Sequence, residues 1–175
     1  QDGWNPAKAF VALNSLDHGP RDEARRCWLE RPDQLAKFRQ EHKIEGGPVI
    51  LFVSRLHPNN RADMLVRATA ALAPEIPGLK TVIIGNGPAE KARLEALARE
   101  LGATDRVIFQ NGIYDELKLA PWFLSASVFC YPTHVGLSLI HALWYGVPVV
   151  TSDNLAAQNP EVVALENGVN GQLYK

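Results

Sequence analysis

Residues 131–150 read YPTHVGLSLIHALWYGVPVV, and two glycines divide the stretch into a strand, a helix and a second strand. The first strand stops at Pro132. A short loop containing Gly136 opens a helix over 136–145, and Gly146 hands the chain to the apolar run VPVVT at 147–151. Leu139, Ile140 and Leu143 define the buried face of that helix. His134, Ser138, His141 and Tyr145 step by 4, 3 and 4, so they share a stripe expected to look away from the core. Two histidines seven residues apart on a helix are about 10 Å apart at ~1.5 Å per residue, too far to share one ion, so no metal site is expected. The helix start is the better candidate. Free amides near Val135, Gly136 and Leu137 form a ready anion site, favoured by the helix dipole. A polar surface face is the plain alternative for the stripe.

The same alternation continues on both sides. Short apolar runs ending in Gly, Pro or Asn predict strands at 48–54, 80–84, 106–109, 126–131 and 147–151, with shorter ones at 9–13 and 172–174. Helical patterns fall between them at 61–73, 89–101, 115–124 and 136–145, and Gly102 ends the second of these. A charged helix over 21–43, interrupted near Pro32, precedes the first main strand and is expected to turn Trp28, Leu29, Leu35 and Phe38 inward. Strands that are apolar throughout suit burial on both faces. Strand–helix alternation at this spacing implies an α/β fold with a doubly wound, Rossmann-like parallel sheet. The division expected is a lead-in segment with the charged helix over 1–47, then the Rossmann-like domain over 48–175, one compact unit overall.

Composition narrows the function. Of 175 residues, 46% are hydrophobic and 21% charged, and the net charge of −1 gives no basic excess with which to bind nucleic acid. Two cysteines, Cys27 and Cys130, are too few for a disulfide framework and read as reduced thiols in a cytoplasmic protein. No apolar signal segment opens QDGWNPAKAF, and no run is long enough for a membrane span. The abrupt start and finish suggest a piece of something longer.

In doubly wound sheets ligands sit at the carboxyl ends of the strands. After the first strand, Arg55 and Arg61 bracket a turn and suit bidentate contact to an anion, or else a solvated loop. After the second, GNGP at 85–88 is a weak dinucleotide fingerprint, because Glu90 stands where a third glycine belongs. Gly85 and Gly87 can instead let backbone approach a ligand. After the third strand, Gly112, Ile113 and Tyr114 form a glycine turn ahead of an acidic helix start.

Taken in order, VALNSLD (11–17), SRLHPNNR (54–61), GNGP (85–88), FQNG (109–112), PTHVGLSLIHALWYGVPVV (132–150) and NGVNG (167–171) resemble the motifs of family 4, or group 1, retaining glycosyltransferases. The resemblance is to the C-terminal, donor-binding half of their GT-B fold and covers nearly the whole chain. It implies transfer of a sugar from a nucleotide-diphosphate donor, with no cofactor. Arg55 matches the arginine that holds the donor diphosphate, while Asn60 stands at the lysine position with Arg61 beside it. Thr133 and His141 stand where the family has two glutamates. Arg55 and His141 are thus the candidate catalytic residues. Arg55, Arg61 and the amides of Val135, Gly136 and Leu137 are assigned to the diphosphate. Thr133, Ser138 and His141 go to the ribose or sugar, and Gly85, Gly87, Ile113 and Tyr114 to the base pocket. The implied partners are a nucleotide sugar and a separate N-terminal acceptor domain, with peripheral membrane contact of a full-length enzyme left open. Two other readings stay alongside: a degenerate, non-catalytic module of the same fold, and a sugar-nucleotide 2-epimerase of the same architecture.

Overall fold

A computed structural model describes residues 14–175. The strand expected at 9–13 and the first half of VALNSLD lie outside the described residues. Among the described residues, six parallel strands form one sheet: β1 (Val49–Val53), β2 (Lys80–Ile84), β3 (Val107–Gln110), β4 (Val128–Tyr131), β5 (Val149–Ser152) and β6 (Gly171–Tyr174). Their order across the sheet is β3-β2-β1-β4-β5-β6. The chain therefore winds outward from β1 to β3, crosses back, and winds outward again from β4. The point of reversal lies between β1 and β4, where their carboxyl ends diverge and leave a crevice.

The helices are α1 (His18–Leu29), α2 (Pro32–Glu41), α3 (Ala62–Leu72), α4 (Pro88–Glu100), α5 (Glu116–Ser125) and α6 (Leu137–Trp144). α3 packs on α4, whereas α5 packs on α1 and α2. The charged segment is two helices because Pro32 cannot continue α1 and instead sits in the first turn of α2. These two helices seat an aromatic cluster. The Phe38 and His42 rings lie 4.8 and 4.5 Å from that of Trp122 on α5, and Trp28 donates through Nε1 to the Leu117 carbonyl at 2.8 Å. Leu29, expected inward, is half exposed.

Leu51, Phe52, Val82, Ile83, Ile84, Phe129 and Val149 are buried along the sheet and form the core with Leu65, Val66, Leu94, Phe123 and Leu139 from the helices. Burial on both faces explains why the strands lack polar alternation. Cys130 lies among these apolar groups, and burial pushes its thiol up to about 12. After β5 the chain makes two short 3-10 turns, Leu155–Ala157 and Pro160–Ala164, before reaching β6.

Candidate functional site

Three adjoining hollows open at the carboxyl ends of β1, β2 and β4. The first, about 430 Å³, runs between Leu56, His57, Asn59, Asn60, Asn86 and His134. The second, about 400 Å³, lies against Ser54, Tyr131, Gly136, Leu137, Ser138 and Asn159. The third, about 140 Å³, is a more apolar slot between Val53, Ile84, Gly85, Gly112, Ile113 and Tyr114. Arg55 lines all three. Its side chain is exposed, and among the described residues it forms no ion pair. Among the described residues, no carboxylate lines any of the three hollows. A free guanidinium and the start of α6 therefore face one another across a crevice without acids, an arrangement that attracts anions.

Local chemistry fixes the walls. Asn60 is buried and donates through Nδ2 to the Arg55 carbonyl at 2.7 Å, so the turn after β1 is tied from within. Gly85 and Gly87 are required for a different reason than ligand approach. A β-carbon on Gly85 would collide with the Ser54 carbonyl, and one on Gly87 with the Leu56 carbonyl, because the loops after β1 and β2 lie directly against each other. Gly87 also has a positive φ of 150°. Gly85 borders the apolar slot, whereas Gly87 faces a separate groove beside Pro58 and Arg93. Over the slot, Asn86 accepts the Gly112 amide at 2.8 Å and donates to the Tyr114 hydroxyl at 3.2 Å, while the Tyr114 side chain stays exposed.

The loop from β4 into α6 is held by side chains from β5, β6 and the segment that joins them. The Tyr174 hydroxyl donates to the Pro132 carbonyl at 2.6 Å and Thr151 Oγ1 to the Thr133 carbonyl at 2.9 Å. Asn159 Nδ2 donates to the His134 carbonyl at 2.7 Å, and the Val135 amide donates to Gln158 Oε1 at 2.9 Å. Four consecutive residues are thus pinned. The Val135 amide, one of the three expected to meet an anion, already has an acceptor. The open donors at the helix start are those of Gly136, Leu137 and Ser138, whose amides come too early in α6 to find an acceptor within it.

Other sequence candidates are also engaged elsewhere. Arg61 holds a left-handed backbone (φ 52°), and its Nε donates to Asp63 Oδ1 at 3.0 Å. Thr133 donates through Oγ1 to the Asn59 carbonyl at 3.1 Å, linking the two loops that flank the first hollow. The stripe on α6 does not look away from the core as a unit. His134 and Ser138 reach the crevice, whereas His141 and Tyr145 turn onto α5, with ring centroids 4.5 and 5.2 Å from Phe123. His141 Nε2 donates to Glu116 Oε1 at 2.8 Å and the Tyr145 hydroxyl to the same oxygen at 2.7 Å. The physical reason is the apolar face of α5: Phe123 needs covering, and the flat faces of His141 and Tyr145 supply the cover. Burial works against ionisation of Glu116, but the hydrogen bonds from His141 and Tyr145, with the charges of His141 and Arg21, hold its carboxyl below the usual value. Burial raises the Tyr145 phenol, and its bond to Glu116 raises it further.

Sequence reasoning passed over Glu116, Thr151, Gln158, Asn159 and Tyr174. Glu116 was visible only as part of an acidic helix start, Thr151 and Tyr174 only as members of predicted strands, and Gln158 and Asn159 as a pair of amide side chains in a non-periodic stretch following a buried strand. Among the described residues there is no cluster of three His, Cys, Asp or Glu able to hold a metal, and no helix long and apolar enough to cross a membrane.

Comparison with known proteins agrees with this architecture. Residues 47–175 match the family described as glycosyl transferases group 1. The chain is 31% identical over 167 residues to a GDP-mannose-dependent alpha-(1-6)-phosphatidylinositol monomannoside mannosyltransferase of Mycolicibacterium smegmatis, covering 90% of this chain and 43% of that protein. It is 34% identical to a D-inositol 3-phosphate glycosyltransferase of Actinosynnema mirum, covering 97% of this chain and 40% of that one. It thus spans less than half the length of these relatives. Among solved structures, Anabaena HepE in complex with UDP superposes with a TM-score of 0.69 at 22% identity, over 82% of this chain and 39% of HepE. A glycosyltransferase from Rickettsia africae gives 0.72 at 15% identity, over 90% and 41%. These likenesses concern the fold, the parallel sheet of one half of a GT-B glycosyltransferase. With a family match over most of its length and that fold around the crevice, the chain belongs to the group 1 glycosyltransferases.

Proposed function

We propose that residues 48–175 form the donor-binding domain of an enzyme that moves a sugar from a nucleotide-diphosphate donor to an acceptor, with retention of anomeric configuration. Residues 1–47 are its lead-in segment, and the acceptor site belongs to another part of a longer polypeptide. The observation that carries this reading is the Arg55 guanidinium, unpaired among the described residues, at the junction of three hollows that no described carboxylate lines, facing the first turn of α6. A diphosphate spanning Arg55 and the amides of Gly136–Ser138 would direct a base toward the apolar slot at Ile113 and Tyr114. As the sugar departs, negative charge grows on the diphosphate, and a fixed cation and helix terminus stabilise that growth more than they stabilise the bound donor. No protein base and no metal enter this account. The GDP-mannose dependence of one relative and the UDP held by HepE support a nucleotide ligand of this kind.

The reading is tested by titrating the chain with UDP, GDP, ADP and their common sugar conjugates, followed by ligand-observed NMR. Selective binding of one nucleotide, weakened at least about tenfold by Arg55→Ala as expected for loss of a charge-assisted contact, supports it. A folded chain that ignores every one of them rejects it. The 175-residue chain by itself is expected to bind without turnover, and measurable sugar transfer by it would overturn that part.

One observation favours a second reading, a binding module without catalysis. His141 and Arg61 are occupied by Glu116 and Asp63, and Thr133 by Asn59, so three of the side chains that the resemblance assigns to the donor already have partners. Nucleotide binding without transfer by a longer polypeptide that includes the acceptor site would decide for it.

A further inference from the structure

Glu161 lies in the 3-10 turn after β5 and is 7% exposed. Its Oε1 accepts from Asn14 Nδ2 at 2.7 Å, a bond between residues 147 apart in sequence. Its Oε2 is buried and has no hydrogen-bond donor among the described residues. That oxygen lies 4.0 Å from where a β-carbon on Gly136 would stand, at the head of α6. One carboxylate therefore touches the lead-in segment with one oxygen and backs onto the anion turn with the other. The two residues two and three positions earlier complete the link. Asn159 holds the His134 carbonyl and Gln158 the Val135 amide.

A purely structural role explains this poorly. A glutamine would also accept from Asn14 and would not leave a charge buried with one oxygen unpaired. The negative charge has a use at this place, because the amino end of α6 carries a partial positive charge that a carboxylate behind it orients and holds.

We propose that Glu161 is a positioning residue that couples the lead-in segment at Asn14 to the anion turn at Pro132–Gly136, so that the placement of one sets the affinity of the other. The affinity half of this proposal rests on the donor-site reading; the coupling half does not. A movement at Asn14 reaches the cleft by a short route: through the Glu161 carboxylate to the backbone of 158–161, and from there through two side-chain bonds to the loop.

The test uses Asn14→Ala, Glu161→Gln and the double variant in the 175-residue chain. Amide chemical shifts of Val135, Gly136 and Leu137 are read by NMR, UDP and GDP titrations give affinity, and the thermal midpoint reports folding. Asn14 is exposed, so its variant is expected to fold even where a Glu161 change does not. Coupling predicts that each single variant shifts the Gly136 and Leu137 amides, and that Asn14→Ala, which leaves the charge in place, weakens nucleotide binding by about three- to tenfold. The double variant then does no worse than the stronger single one, as for two members of one network. Unmoved amides in Asn14→Ala, or losses that simply add, overturn it. If no nucleotide binds the parent chain, the donor reading fails while the amide shifts still decide the coupling.

Discussion

His141 shows how a residue can be found by its spacing and still be misread. The helical step that joined it to His134, Ser138 and Tyr145 was real, but an eight-residue helix turns its far end toward a different neighbour than its start. Its bond to Glu116, with both side chains about nine-tenths buried (12% and 14% exposed), fixes the consequence of change. Installing the family's glutamate by His141→Glu would set two carboxylates against each other and leave Glu116 Oε1 without one of its two donors. The variant is expected to lose roughly 1–3 kcal/mol of stability, measured by denaturant unfolding, without gaining nucleotide affinity. A more stable variant that binds better would contradict this placement. Gly87 makes the opposite point, since its role was legible only as "glycine". With φ at 150° and the Leu56 carbonyl where a β-carbon would go, Gly87→Ala is expected to cost more than about 1 kcal/mol. An unchanged unfolding midpoint would mean that the loops after β1 and β2 part easily.

At the scale of elements, the five main strands and the helices following them emerged within a few residues of their sequence-based limits, because apolar runs and helical periodicity are local signals. The loop clamps were not local. Thr151, Gln158, Asn159 and Tyr174 act on residues 18 to 42 positions away, and such bonds leave no periodic trace. The same holds for the docking of α1 and α2 on α5. Periodicity marked Trp28 and Phe38 as inward-facing, yet it named no partner; Phe38 proved to pack on Trp122, only 3% exposed, and Trp28 on Phe38. Removing residues 1–47 would uncover that indole and the α5 face around it. The shortened chain is therefore expected to unfold at a lower temperature and to bind a hydrophobic dye that the intact chain excludes. Equal melting of the two would make 48–175 self-sufficient.

Across the whole molecule, Glu116 links α1, α5 and α6: Arg21 lies 3.8 Å from Oε2, and His141 and Tyr145 share Oε1. Because its folded carboxyl titrates below the ordinary value, the unfolded chain takes up the proton first as pH falls. The stabilisation is thus fully present above the unfolded carboxyl value of about 4.3 and disappears as pH drops through the lower folded one. Asp63, opposed by burial but held down by Arg61, has the same sign. The difference in unfolding free energy between the parent chain and Glu116→Gln should consequently be largest near neutral pH and shrink steadily below about pH 4. Denaturant unfolding across pH 3–7 reads it directly. A difference that grew on acidification would mean that Glu116 is protonated in the folded chain, and that His141 is held by something other than a carboxylate. Such a result would also reopen the role of position 141, because an imidazole not committed to Glu116 is free to turn toward the crevice. The pH profile thus bears on the site as well as on stability. It asks whether the α5–α6 seam is closed by charge, as the geometry has it, and hence whether the crevice ends at Ser138 or extends one turn further along α6.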